Sequence, residues 1–190
     1  MSAIDLAAVA AALERRGFAA RVCATGAEAL EFVLSAAQDV AVVGCGGSES
    51  VKQIGAVEAL TRVGKSFVRE TPCGLFLLSA NALTTDGRIV NIDGNGNRVA
   101  ASIHGAEHVV YVVGRNKIVD GGIDAAIARV KRCACPPNCR RLGKHTPCAQ
   151  TGVCADCDSP DRICKVTAIF DRKPTGTHAT VLLVDEELGY

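Results

Sequence analysis

The chain has 190 residues, 48% of them apolar, a formal net charge of +1 and 4% aromatic residues without tryptophan. That length supports one full hydrophobic core, and the near-neutral charge and scarce aromatics exclude an electrostatic or base-stacking nucleic-acid binder. No run approaches the roughly 18 apolar residues of a membrane span, and Met1-Ser2-Ala3-Ile4-Asp5 lacks the basic and apolar regions of a signal peptide, so the expected location is cytoplasmic with reduced thiols.

In chain order, Ile4 to Arg16 reads as an alanine-rich helix stopped by Gly17, and Phe18 to Val22 as a short strand. Thr25-Gly-Ala-Glu28 is a capping box opening a helix through Leu30, Phe32, Val33 and Ala37. Val40 to Val43 is a continuous apolar run, as in strands buried on both faces of a parallel sheet. It runs into Gly44-Cys-Gly-Gly-Ser48, then one helix with Val51, Ile54, Val57 and Leu60 on one face. Strands follow at Leu75 to Leu78 and Val109 to Val113, with a hairpin around Thr85-Asp86-Gly87 between them and a helix from Ile123 to Lys131 after them. Val166 to Phe170 and Thr180 to Val184 read as closing strands. This alternation predicts an α/β fold with a mostly parallel sheet flanked by helices.

Composition changes near residue 132. Seven of the ten cysteines lie between Cys133 and Cys164, among four prolines and little apolar periodicity. A long irregular insert needs something to order it, and metal ligation by its cysteines would do so. The expectation is one domain over 1–190 with a cysteine-rich metal-binding lobe at 133–165 within it. Cys148-x5-Cys154-x2-Cys157-x6-Cys164 contains a single tight pair with two outlying thiols. That spacing suits the wider cage of an iron–sulfur cluster more than two-pair structural zinc, with zinc and unligated thiols left open. Arg140, Arg141, Lys144, His145 and Arg162 are basic neighbours for thiolates or an anionic cluster. Cys133, Cys135 and Cys139 are one thiol short of a second cage, which His145 or Cys45 would complete; a redox-accessory or incidental role is the plainer reading. Cys23 and Cys73 read as core filling.

Two further constellations bear on ligands. The loop Gly44, Gly46, Gly47, Ser48 between strand and helix offers backbone amides to a phosphate or carboxylate, although a tight turn alone also explains it. It lacks the dinucleotide and Walker patterns. Asn81, Asp86, Asn91, Asp93, Asn95 and Asn97, interleaved with glycines, form either tight turns or a polar pocket at strand ends. Lys117 offers a cation there. His104 and His108 have no serine or cysteine partner at a recognisable spacing, so no nucleophilic triad is assembled.

The run Ala80 to Ala100, Val113-Gly-Arg-Asn-Lys-Ile-Val119, Thr146-Pro-Cys-Ala-Gln-Thr-Gly-Val-Cys-Ala-Asp-Cys-Asp-Ser-Pro-Asp-Arg-Ile-Cys164 and the ending Glu186-Glu-Leu-Gly-Tyr190 resemble the LUD-domain family, named for lactate utilisation. The resemblance covers most of the chain. It implies a fold similar to ribose-phosphate isomerases and CoA transferases, with the glycine and Asn/Asp loops lining the ligand cleft. It also implies a 4Fe–4S cluster on Cys148, Cys154, Cys157 and Cys164. The expected function is electron transfer with redox partner subunits in oxidation of lactate or a related 2-hydroxy acid; an oligomer is left open. The alternative is a small-molecule enzyme or sensor of the isomerase and CoA-transferase type. In it the cluster, or zinc, is structural, Asp86 or Asp93 is the acid–base group, and Lys117 with the glycine loop grips a phosphate or carboxylate. Two departures stand out: Cys135 and Cys139 replace small apolar residues, and Leu60 to Leu75 is shorter than in relatives, as though a helix walling the cleft were missing.

Overall fold

A computed structural model describes residues 4–190. The first half runs α1 (Leu6–Arg15), β1 (Ala19–Cys23), α2 (Gly26–Ala36), β2 (Val42–Cys45), α3 (Glu49–Gln53), α4 (Ala56–Arg62), β3 (Ser66–Val68) and β4 (Cys73–Leu78). The middle holds β5 (Ala82–Thr84), β6 (Ile89–Asp93), α5 (Asn97–Ile103), β7 (Ala106–Gly114) and β8 (Ile118–Val119). The chain closes with α6 (Ile123–Arg129), α7 (Cys135–Arg141), α8 (Pro147–Thr151), β9 (Val166–Phe170) and β10 (His178–Val184).

Six strands form an all-parallel sheet in the order β1-β10-β7-β4-β2-β3, and four form a second, mixed sheet, β8-β5-β6-β9. The parallel sheet is apolar on both faces, as its continuous Val/Leu runs require. Phe76, Leu78, Val109, Tyr111, Val181 and Leu183 face α1 and the second sheet, while Leu75, Leu77, Val110, Val112 and Leu182 face α2, α3 and α4. Burying each such side chain contributes about 1.5–3 kcal/mol.

Local sequence explains most boundaries. Asp5 accepts from Ala7 N and Ala8 N to cap α1, and Gly17 leaves it at φ +87°. The Thr25 hydroxyl accepts from Glu28 N, and the Glu28 carboxylate reaches back past the cap to accept from Ala24 N at 2.8 Å, a variant of the expected capping box. The single helix expected after the glycine loop is instead two, because Gly55 turns left-handed (φ +73°) between α3 and α4. The hairpin at Asp86-Gly87 is present as β5–β6.

The cysteine segment is less irregular than its prolines suggest. α6 runs through a π-helical turn, Val130–Ala134, directly into α7. Pro136 and Pro137 have no N–H to donate to the preceding turn, and the wider π turn absorbs that loss without ending the helix. Cys135 and Cys139 therefore sit one helical turn apart on α7.

Gly44 shows how tightly the sheet is packed under the glycine loop. A Cβ there would overlap the Phe76 ring and approach Cys73 Sγ to 2.8 Å. Gly44→Ala is expected to cost about 1–3 kcal/mol by overpacking, read as a lower urea midpoint at unchanged slope.

Candidate functional site

Neighbouring strands of the parallel sheet deliver three side chains to one point at their carboxyl ends, where ligands bind in open α/β sheets. β2 leads through Gly46-Gly47-Ser48 into α3 and places Ser50; β4 is followed directly by Ser79; β7 leads through a 3-10 turn to Lys117. Lys117 Nζ donates to Ser50 Oγ at 2.7 Å and Ser79 Oγ at 3.0 Å. The side chain is 4% exposed, and among the described residues no carboxylate is within ion-pair distance of it. Burial, then the nearby Arg129 and Arg98 cations, bring its pKa from 10.5 down to about 7.

A recess of about 40 Å³ above Lys117 is lined by Ser48, Glu49, Ser79 and Tyr190 among others. It shares Gly47, Asn81, Arg98, Ala134 and Asn138 with a larger cleft of about 410 Å³. The cleft walls carry Arg69, Arg98, Arg141 and Lys144 against one acid, Asp93, with Asn81, Asn95, Asn97 and Asn138 between them. This is an anion-binding arrangement.

The cleft's acid is already engaged. Asp93 Oδ2 accepts from Arg98 N at 3.1 Å and Val99 N at 3.3 Å, serving the N-terminus of α5, and lies 3.5 Å from Arg98 Nε. Arg98 also donates to Ile92 O at 2.9 Å, which fixes its stem over Gly46. Arg129 holds the floor, donating to the backbone oxygens of Asn116, Asn81 and Tyr190.

Of the residues singled out from sequence, Gly47, Ser48, Asn81, Asp93, Asn95, Asn97 and Lys117 meet around these cavities. Ser48 also caps α3 through Val51 N, and Gly46 lies beneath Arg98. Gly44 lies within the sheet and Asn91 is buried in β6, its Oδ1 accepting from Asn81 N while Asn81 Oδ1 accepts from Ile92 N. Asp86 is at the hairpin tip, bonded to Thr84, Arg88 and Arg16, and lines neither cavity. The Arg88 hydrogen bond holds its carboxyl down at about 2 against some desolvation, with Thr84 and Arg16 adding to the effect; it ties α1 to the second sheet. Sequence reading passed over Ser50, Ser79, Arg69, Arg98 and Arg129. Only Arg98, beside Asn97 in the Asn/Asp run, carried a usable signal.

The cysteine lobe forms the opposite wall, with Cys135 and Cys164 lining the cleft. It is docked by Lys165 N donating to Asp93 O and by the pairing of β9 with β6. Cys135, Cys139 and Cys148 are buried; Cys133, Cys154, Cys157 and Cys164 are half-buried, and all are free thiols. Cys148 Sγ lies 3.7 Å from Cys139 Sγ and 3.4 Å from Thr146 Oγ1. Burial, with Cys164, Cys154, Cys139 and Cys148 around it, pushes Cys135 up to about 12, and burial also pushes Cys139 up to about 11. Arg162 organises the loop, donating to Cys157 O, Cys164 O and Asp156 Oδ1, each at 2.8 Å. Among the described residues no group of three or more His, Cys, Asp or Glu side chains is arranged to hold a metal ion, neither Cys148, Cys154, Cys157 and Cys164 nor Cys133, Cys135 and Cys139 with His145 or Cys45.

The depressed Lys117 pKa has a stability consequence. The unfolded chain keeps the lysine proton to higher pH, so this group favours the folded state increasingly as pH rises from about 7 towards 10.5. A bound anion favours the ammonium and takes up a proton. Anion affinity is expected to fall by up to about tenfold per pH unit above about 7, checked by titration calorimetry across pH and in buffers of different ionisation enthalpy.

No helix among the described residues is long and apolar enough to cross a membrane. No curated protein sequence matches the chain. The fold is similar to the crystal structure of a DUF162 family protein from Deinococcus radiodurans, with a TM-score of 0.53 and 15% identity, covering 95% of this chain and 98% of that one. A family model described as the LUD domain matches residues 6–184, and the chain belongs to the LUD domain family.

Proposed function

We propose that the protein binds a small organic anion, lactate or a related 2-hydroxy acid, above Lys117. We further propose that it takes part with partner subunits in oxidising that anion, using an iron–sulfur cluster on Cys148, Cys154, Cys157 and Cys164 for electron transfer. One observation carries the ligand class: a buried lysine with no carboxylate partner in a recess that adjoins a cleft of four cations, where the nearby acids, Asp93 of the cleft and Glu49 of the recess, are already paired with Arg98 and Arg141. The family's association with lactate utilisation supports the choice of anion.

The donor chemistry of the lobe fits such a cluster. Thiols of the four positions lie in one lobe, Thr146 Oγ1 shares a hydrogen bond with Cys148 Sγ, and Arg162 braces the carbonyls of Cys157 and Cys164. When bound, the cluster supplies one-electron storage and transfer. The chain's own share is to bind and orient the anion: Lys117 meets its carboxylate, and Arg98 and Asn81 border both cavities. Among the described residues the one carboxylate lining the cleft, Asp93, is held by α5 and Arg98, so bond breaking falls to a partner.

A second reading, a small-molecule enzyme or sensor for a phosphorylated or carboxylated ligand with a structural cluster or zinc, is favoured by the size of the cleft. A volume of about 410 Å³ ringed by Arg69, Arg141 and Lys144 accommodates a ligand much larger than lactate. Anaerobic purification with iron and sulfide analysis, absorption before and after dithionite, and thermal shifts with lactate and with phosphorylated 2-hydroxy acids separate the two. A brown protein that bleaches on reduction and is stabilised by lactate supports the first. A cluster that never changes oxidation state, with stabilisation only by phosphorylated ligands, supports the second. A colourless protein unaffected by either ligand sinks both.

A further inference from the structure

Cys135 and Cys139 are four residues apart on α7, so they share a face, and α7 packs against α8, the short helix that carries Cys148. Cys139 is 2% exposed and Cys148 7% exposed, and their sulfurs meet at 3.7 Å. Two buried thiols can pack together as small apolar groups without any further role. Here, however, the pair belongs to a set of thiols crowded into one lobe, and one of the two is a proposed ligand. At 3.7 Å the Cys139 sulfur lies beside the position that Cys148 would take as a ligand.

We infer that Cys139 is a second thiol for the corner of the metal site that Cys148 fills. The site then has five usable ligands, Cys139, Cys148, Cys154, Cys157 and Cys164, with the redundancy placed at the junction of α7 and α8; Cys135, near the same thiols, lines the cleft. The inference rests on the proposed cluster. Its physical content is that either α7 or α8 can close the cage, so loss of one thiol leaves four, while loss of both leaves three.

The test is iron and sulfide per chain, with the visible spectrum, in anaerobically purified full-length protein carrying Cys139→Ala, Cys148→Ala or both. Each single variant is expected to retain at least about half of the wild-type iron, and the double variant to fall about tenfold. A loaded wild type with Cys148→Ala as empty as the double overturns the inference while leaving the cluster intact as a proposal. A double variant that still carries wild-type iron overturns it as well. Wild-type protein that holds no iron takes down the cluster reading itself, and the inference with it. Far-UV circular dichroism checks the core of each variant, and where Cys148→Ala fails to fold, Cys148→Ser keeps the side-chain volume and repeats the comparison.

Discussion

Replacing Lys117 with methionine is expected to weaken anion binding roughly ten- to a hundredfold and, at the same time, to raise the melting temperature of the ligand-free protein. The two effects have one cause. The lysine brings an amine into the core, 4% exposed, with two serine hydroxyls and no counter-ion. Methionine fills a similar volume without a desolvated polar head. The serines are not orphaned by the change, because Ser50 Oγ still donates to Leu188 O and Ser79 Oγ to Ala80 O. Relief of an incompletely bonded buried group is worth about 1–3 kcal/mol. Loss of a charge-assisted hydrogen bond to the ligand costs about 1.5–3 kcal/mol, roughly ten- to a hundredfold in affinity. Thermal shift and calorimetry on the same samples read both. An unchanged dissociation constant for every anion that binds the wild type would remove Lys117 from the site.

Cys157→Ser is expected to remove most bound iron and to loosen residues 133–165 while the parallel sheet stays folded. Among the described residues the Cys157 thiol makes no hydrogen bond with another thiol, unlike Cys148 with Cys139 at 3.7 Å. Arg162 holds its carbonyl and that of Cys164, so the backbone of the loop is positioned even when the sulfur is lost. The core depends on none of these thiols: its two faces are built from α1 to α5 and the strands. Iron analysis together with hydrogen exchange checks both halves of the claim, and iron content at the wild-type level would strike Cys157 from the ligand set.

The α/β architecture was legible in the chain because its signals are local or periodic. Val40 to Val43 and Val109 to Val113 are apolar on both faces, and Thr25 with Glu28 announces a helix start. The Asn81 to Asn97 run, Lys117 and the Ser48 loop were legible as candidates for the same reason. Their division of labour was not. Asp86 and Asp93 look alike in sequence, yet one ties a hairpin to α1 and the other serves α5 at the cleft. That difference depends on which arginine arrives, Arg16 from 70 residues away or Arg98 from five.

Sequence by itself determined the α/β class, the mostly parallel sheet and the family, since each rests on patterns read within a few tens of residues. Tertiary structure alone decided that Ser50, Ser79 and Lys117 meet, that the cleft is cationic, and that Cys139 touches Cys148. The reason is that those groups reach one place only through strand order. β2, β4 and β7 are neighbours in the sheet though far apart in the chain, and the helix expected to end at Lys131 instead continues through a π turn into α7.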